Sequence, residues 1–232
     1  VRKQLYKLAL ADELWPEELV ARHEREHGAS FKARDRARNA LYFAAALGRR
    51  GIRHVHVPFA NRATHSMLFL KRMTGMTFSF TTHGQDFMVD LGSDALLREM
   101  CREAEFVIAV CDYSRDLLAR KCPESDAKIH RVYNGLDPCG FQPPAPPDKS
   151  APLRIVSVGR LIEFKGFHIL IEALAKAAAQ GLDAQLRIVG EGPWERKLRL
   201  LALQAGVGDR VRFDGRLDNP VIRRLLSQSD VF

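Results

Sequence analysis

The sequence predicts an α/β protein made of two doubly wound, parallel-sheet domains. Three observations predict it. Short apolar runs alternate with amphipathic helical stretches, a proline-rich segment interrupts this rhythm, and the rhythm then restarts from its beginning.

In the first half, strands are expected at 53–57 (RHVHV), 77–82 (TFSFTT), 105–110 (EFVIAV) and 128–132 (KIHRV). Helices are expected at 34–49, 61–73, 93–103 and 112–121. Ser93 and Asp112 are the expected caps of the last two, because a short side-chain oxygen can accept from the orphan amides of a first turn. Residues 134–152 then hold six prolines, a density that removes both amide donors and helical options. After them a strand is expected at 153–158 and a helix at 165–180, where Phe167, Leu170, Ile171 and Leu174 recur at helical spacing. Strand AQLRIVG, helix 193–205, strand RVRFDG and a helix from about 219 complete the pattern. The expected domains are therefore 1–137 and 153–232, joined by a linker at 138–152. Both are expected to be incomplete. Val1 is no initiator methionine, and LLSQSDVF stops on what reads as the first residues of a buried strand.

The 46% of hydrophobic residues suffices for ordinary cores. The four cysteines (Cys101, Cys111, Cys122 and Cys139) show no CxxC spacing and read as free thiols in a reducing compartment. No apolar run reaches the roughly 18 residues of a membrane span, so a cytoplasmic location is expected. The net charge of +8 asks for an anionic partner, and Lys32 to Arg53 concentrates seven Lys/Arg against one acid, Asp35. A solvated helix face and a docking patch for an anionic membrane both fit that stretch. With only Phe31, Tyr42 and Phe43 beside it, it lacks the interleaved aromatics of a nucleic-acid binder, and no nucleic-acid partner is expected.

Ligands of open α/β sheets sit beyond the carboxyl ends of the strands. In the second domain that rule selects Gly159-Arg160 with Lys165-Gly166, then Gly190-Glu191-Gly192, then Gly215-Arg216-Leu217. One glycine at a strand end makes a tight turn and nothing more. Three in succession, one followed by Arg and Lys, point to an anion held by side-chain charge as well as backbone. The pattern is neither a Walker loop nor GxGxxG. In the first domain the rule selects His83, with Asp86 three residues on, where a carboxylate could hold either a hydroxyl or a loop amide. His54 and His56 alternate onto one face of a strand, yet no third ligand of suitable spacing follows. They read as strand-face packing and hydrogen bonding.

The segments VSVGRLIEFKGFHILIEAL, LRIVGEGPWERKLRLLALQAGVGDRVRFDGRL and LLSQSDVF resemble the donor-binding half of glycosyltransferase family 4. HVHVPFAN, FSFTTHGQDF, VIAVCDYSRDLL and VYNGLD follow that family's order in the first half. The resemblance covers roughly residues 50 to 232 and is nearest to transferases of bacterial surface polysaccharides, such as the colanic-acid type. It implies a GT-B fold of two Rossmann-like domains and transfer of a sugar from a UDP- or GDP-sugar to a growing, lipid-linked glycan, with retention at the anomeric carbon. It further implies that Arg160 and Lys165 grip the donor diphosphate, beside Gly159 and Gly190. Arg216 and Leu217 would lie near the base, and His83, with Asp86, near the transferred sugar on the acceptor side. No metal or other cofactor is implied, since two fixed cations stabilise the charge on the departing phosphate. A peripheral position on the inner face of the plasma membrane would suit a lipid-linked acceptor.

Two features of the family do not stand in these residues. They are a pair of glutamates eight positions apart, beyond the strand that starts at Val231, and a glycine-rich loop near the N-terminus. The chain is therefore expected to be a fragment with little or no transferase activity of its own, cut from a parent that is an enzyme. Two other functions fit the bare residues: a sugar-nucleotide epimerase of the same fold, and a non-catalytic basic α/β binding module.

Overall fold

The computed structural model describes residues 14–141 and 151–232. They form two compact units, one up to Gly135 and one from Leu136. Of the proline-rich segment expected at 138–152, residues 142–150 lie outside the described residues.

In the first unit β1 (His54–Val57), β2 (Thr77–Thr82), β3 (Val107–Ala109) and β4 (Ile129–Arg131) form an all-parallel sheet in chain order. Among the described residues five α-helices accompany it: α1 (Glu17–His27), α2 (Ala33–Gly48), α3 (Arg62–Thr74), α4 (Asp94–Glu103) and α5 (Asp112–Lys121). Phe78 and Phe80 of β2 are fully buried with Phe69, Leu96, Leu97 and Met100 in one core. Losing one such phenyl ring costs about 3–5 kcal/mol. Helix α1 was not expected from the sequence. Its buried residues are Val20 and His23, and a histidine at a core position hides the apolar period.

The caps follow the expectation at one helix and overturn it at another. Ser93 Oγ accepts from the Leu96 amide at 3.2 Å, as expected. Asp112, however, is the first residue of α5, and Cys111 is the cap, its Sγ accepting from Ser114 N. The Asp112 carboxylate is engaged elsewhere, by Arg131 Nε at 3.1 Å and the Tyr133 hydroxyl at 2.7 Å.

In the second unit β5 (Leu153–Val158), β6 (Ala184–Val189) and β7 (Val211–Gly215) pair in parallel, in that order. Beyond β5, on the side away from β6, Val231 makes a parallel bridge with Ile155. The strand order therefore reverses at β5. Alternation along the strands sorts the core into two faces. Leu186 and Ile188 pack with Phe167 and Ile171 of α6 (Phe167–Ala179) and Leu198 of α7 (Glu195–Gln204). Val156 and Val189 pack with Leu225 of α8 (Asn219–Ser227) on the other face. Helices on both faces make this unit doubly wound. The helix expected from 165 starts later, at Phe167, because Glu163–Lys165 forms a 3₁₀ turn and Gly166 turns left-handed at φ +72°.

The basic stretch is not one even face. Arg34 pairs with Glu17 at 2.6 Å, Arg38 pairs with Asp35 at 3.1 Å, and Arg36 has its Nε buried. Burial holds the Arg36 guanidinium below the usual arginine range, with the Arg62 charge adding to the effect. Arg38 is exposed but paired, and Lys32, Arg49, Arg50 and Arg53 are exposed as well. Among the described residues no helix is long and apolar enough to cross a membrane, and all four cysteines are free.

Candidate functional site

The turns beyond β5 and β6 are laced to each other by backbone. Gly159 N donates to Val189 O and Leu161 N to Glu191 O, both at 2.9 Å, while Gly190 N donates to Gly215 O at 2.8 Å. This close approach requires glycine. A Cβ at Gly190 would overlap the Gly159 carbonyl oxygen, and its φ of +136° disfavours any other residue. Gly192 is under the same constraint, since its Cβ would overlap the Leu161 backbone.

The laced turns enclose a cavity of about 330 Å³, lined by Gly159, Arg160, Gly190, Glu191, Arg216 and Leu217 among others. It lies at the carboxyl end of β5, where the strand order reverses, which is the ligand crevice of doubly wound sheets. Two guanidinium groups face one carboxylate, that of Glu191. Among the described residues neither Arg160 nor Arg216 is engaged by a carboxylate. Five of the six donor-side residues expected from the sequence meet here. Lys165 does not line the cavity. It is exposed at the end of its 3₁₀ turn, with Nζ 5.5 Å from the Phe164 ring centroid.

In the first unit His83 follows β2, exposed, with its ring 4.9 Å from that of Phe59. Asp86 is buried, and its carboxylate accepts from the amides of Ala60 (2.8 Å) and His83 (3.0 Å). Of the two roles open to Asp86, the loop amide is the one the structure displays. The residue ties the loop after β1 to the loop after β2 and so sets the backbone of His83.

A sequence model of glycosyltransferase family 4 matches residues 7–138. The chain belongs to glycosyltransferase family 4. The model of the glycosyl transferases group 1 matches residues 142–232, so the two matches follow one another along the chain. The family match reaches further toward the N-terminus than the roughly 50–232 expected from motifs. A putative colanic acid biosynthesis glycosyltransferase, WcaL of Escherichia coli, is 33% identical over 136 residues, 58% of this chain and 33% of that protein. A GDP-mannose-dependent phosphatidylinositol monomannoside mannosyltransferase of Corynebacterium glutamicum is 30% identical, over 66% of this chain and 42% of its own length. The chain thus spans about a third to two fifths of these relatives. A glycosyltransferase from Rickettsia africae superposes with a TM-score of 0.65 at 20% identity, covering 84% of this chain and 55% of that one. Anabaena HepE, solved with UDP and glucose, gives 0.62 at 19% identity, covering 77% and 52%. These likenesses show the α/β fold of parallel sheets found in GT-B glycosyltransferases.

In this family 4 chain His54 and His56 act as the sequence implies. His54 meets Thr77 and Ser79, and His56 meets Ser79 and Thr81, all at 2.7–2.9 Å, so every ring nitrogen has a hydroxyl partner. Burial, then the neighbouring His54, lowers the His56 pKa.

One polar cluster escaped the sequence reading: His23 and His27 on α1, His65 on α3 and Glu99 on α4. Burial, aided by the neighbouring histidines, pushes His65 down to about 3 and keeps it neutral. Burial would push Glu99 up, but hydrogen bonds from His23 and Arg22 outweigh it and hold the carboxyl at about 2. The available signal was the run HEREH at 23–27, two histidines four apart on a helix.

Proposed function

We propose that this chain forms part of a hexosyltransferase that moves a sugar from a UDP- or GDP-sugar to a growing surface glycan, with retention of anomeric configuration. The observation that carries the reading is the cavity at the reversal of strand order, where Arg160 and Arg216 carry charge that no carboxylate among the described residues neutralises. The relatives that build polysaccharide and the neighbour solved with UDP and glucose support it.

In this reading the donor diphosphate lies against Gly159 and Gly190, whose lack of Cβ lets backbone approach it. Arg160 offers a planar fork to the phosphate oxygens. As the bond between the anomeric carbon and phosphate oxygen breaks, negative charge grows on the departing diphosphate. Arg160 stabilises that charge more than it stabilises the bound donor, while Arg216 and Leu217 meet the base. Lys165 joins by swinging from its exposed turn. An acceptor hydroxyl then bonds to the anomeric carbon on the face the phosphate leaves, which retains the configuration, and its proton passes to the departing phosphate oxygen. His83 serves the acceptor side, its backbone held by Asp86. Lys32, Arg49, Arg50 and Arg53 would meet the anionic surface that presents a lipid-linked acceptor.

Calorimetry with UDP and GDP tests the donor site. At least one nucleotide should bind, and Arg160→Ala should weaken it by about 1.5–3 kcal/mol, the usual worth of a charged hydrogen bond. Wild-type and variant proteins with the same affinity, or wild type with none for either nucleotide, would overturn the reading.

A further inference from the structure

Helix α1 carries His23 and His27 one turn apart, and residues four apart share a helix face. That face is turned inward. His23 is fully buried, and the His27 side chain is 2% exposed. Glu99, buried on α4, meets both: Oε1 lies 3.2 Å from His23 Nε2, and Oε2 lies 3.5 Å from His27 Nε2. One ligand atom from each of the three lies within 4.8 Å of the others. His65 stands behind them, its Nε2 2.9 Å from His23 Nδ1.

We propose that His23, His27 and Glu99 hold a zinc ion that ties α1 to the rest of the first unit. The donor set is two imidazole nitrogens and one carboxylate, which is zinc chemistry. The spacing is compatible. Ligand atoms around a tetrahedral zinc with bonds of about 2.0–2.2 Å stand roughly 3.3 Å apart; the two carboxylate oxygens of Glu99 lie 3.2 Å (Oε1) and 3.5 Å (Oε2) from their respective nitrogens, and one atom from each residue stays within 4.8 Å of the others. The hydrogen bond to His65 would fix the ring of His23 from behind, as outer-shell partners of zinc ligands do.

Two competing accounts fail on particular residues. A metal-free polar core would explain His23, His65 and Glu99, but it leaves His27 Nδ1 unpartnered and gives His27 Nε2 only a long 3.5 Å contact to Glu99 Oε2. A hydrolytic HExxH site would need Glu24 beside the ion as general base. Glu24 is instead exposed, 3.9 Å from Arg34. The ion is therefore structural. Arg22 bonds Glu99 Oε1 and also lies 3.2 Å from His23 Nε2; on binding zinc it keeps the carboxylate, which has lone pairs enough for both, and gives up His23, whose nitrogen has one. This proposal departs from the sequence expectation of no metal, which rested on the two cations of the donor loop.

The test uses untagged chain stripped by chelator and titrated with zinc against a competing chromophoric chelator. One tight equivalent should bind and raise the melting temperature. His27→Gln and Glu99→Gln should each weaken zinc at least 100-fold, while His54→Gln, on the sheet face, should leave it unchanged. Cobalt substituted for zinc should show visible bands of tetrahedral strength in the wild type, which decides the matter even where a buried variant does not fold. No stoichiometric zinc, equal affinity in His27→Gln and wild type, or a six-coordinate cobalt spectrum would overturn the proposal and leave a hydrogen-bonded core.

Discussion

The amide of Val156 donates to the carbonyl of Val231 at 2.9 Å, across 75 residues of chain. That bond sets Val231 beside β5 on the side away from β6, and the resulting reversal opens the crevice that Arg160 lines. The donor reading depends on this pairing as much as on the arginine.

The two candidate cations should not contribute equally. Arg160 is part of the cavity wall, whereas Lys165 is exposed and must be drawn in from a turn. Exposed ion pairs are worth about 0–1 kcal/mol. Lys165→Ala should therefore weaken nucleotide diphosphate binding by no more than about fivefold, with the remaining difference vanishing at high salt. Arg160→Lys should recover only part of the loss in Arg160→Ala, since the fork is gone. Calorimetry on the three variants at two salt concentrations checks the order.

Gly190→Ala should destabilise the second unit. The added Cβ would meet the Gly159 carbonyl oxygen, at a backbone angle that alanine rarely adopts. Backbone strain of this kind costs about 1–3 kcal/mol, enough for a fall of several degrees in melting temperature. Gly181→Ala, where a Cβ meets open space, is the comparison that isolates the overlap from the strain of positive φ. Equal melting shifts in the two variants would show that the close approach is not what demands glycine at 190.

Acid should loosen the end of the second sheet first. Hydrogen bonds from Arg154, at 2.8 Å to Oδ1 and 3.0 Å to Oδ2, lower the Asp230 carboxyl from 3.8 to about 2. A depressed folded-state pKa means the contribution is complete above pH 4 and is lost as the pH falls toward 2. Asp230→Asn should therefore flatten the stability profile between pH 4 and pH 2 and leave its slope above pH 5 unaltered. Amide exchange at Val156 and Val231 reads the effect where it occurs.

Anionic vesicles should retain the chain through Lys32, Arg49, Arg50 and Arg53, each contributing about 1 kcal/mol near such a surface. Changing Arg49, Arg50 and Arg53 to Gln should release it at low salt. Changing Arg34 and Arg38, whose charges are already met by Glu17 and Asp35, should do much less. Sedimentation at two salt concentrations distinguishes these outcomes. Wild-type chain that stays in solution at low salt would refute docking.

The sequence by itself determined what is local. The strand at Thr77–Thr82 was legible because five of its six residues are Thr or Phe, which favour strands, and the strand-end glycines because tight turns need them. That His54 and His56 share one face follows from period-two geometry, while the hydroxyls that meet them are set by the register of β2 beside β1. Asp112 misled because capping depends on which neighbour claims the carboxylate, and Arg131 does so from another strand. Tertiary structure decided what depends on distant pairs. Lys165 stands outside the cavity that Arg160 lines, because a 3₁₀ turn and a left-handed Gly166 intervene before the helix. Helix α1 forms because its histidine face finds Glu99, 76 residues away from His23 in the chain. No local pattern encodes that contact: a histidine reads as polar until folding brings the carboxylate that gives it a reason to be buried.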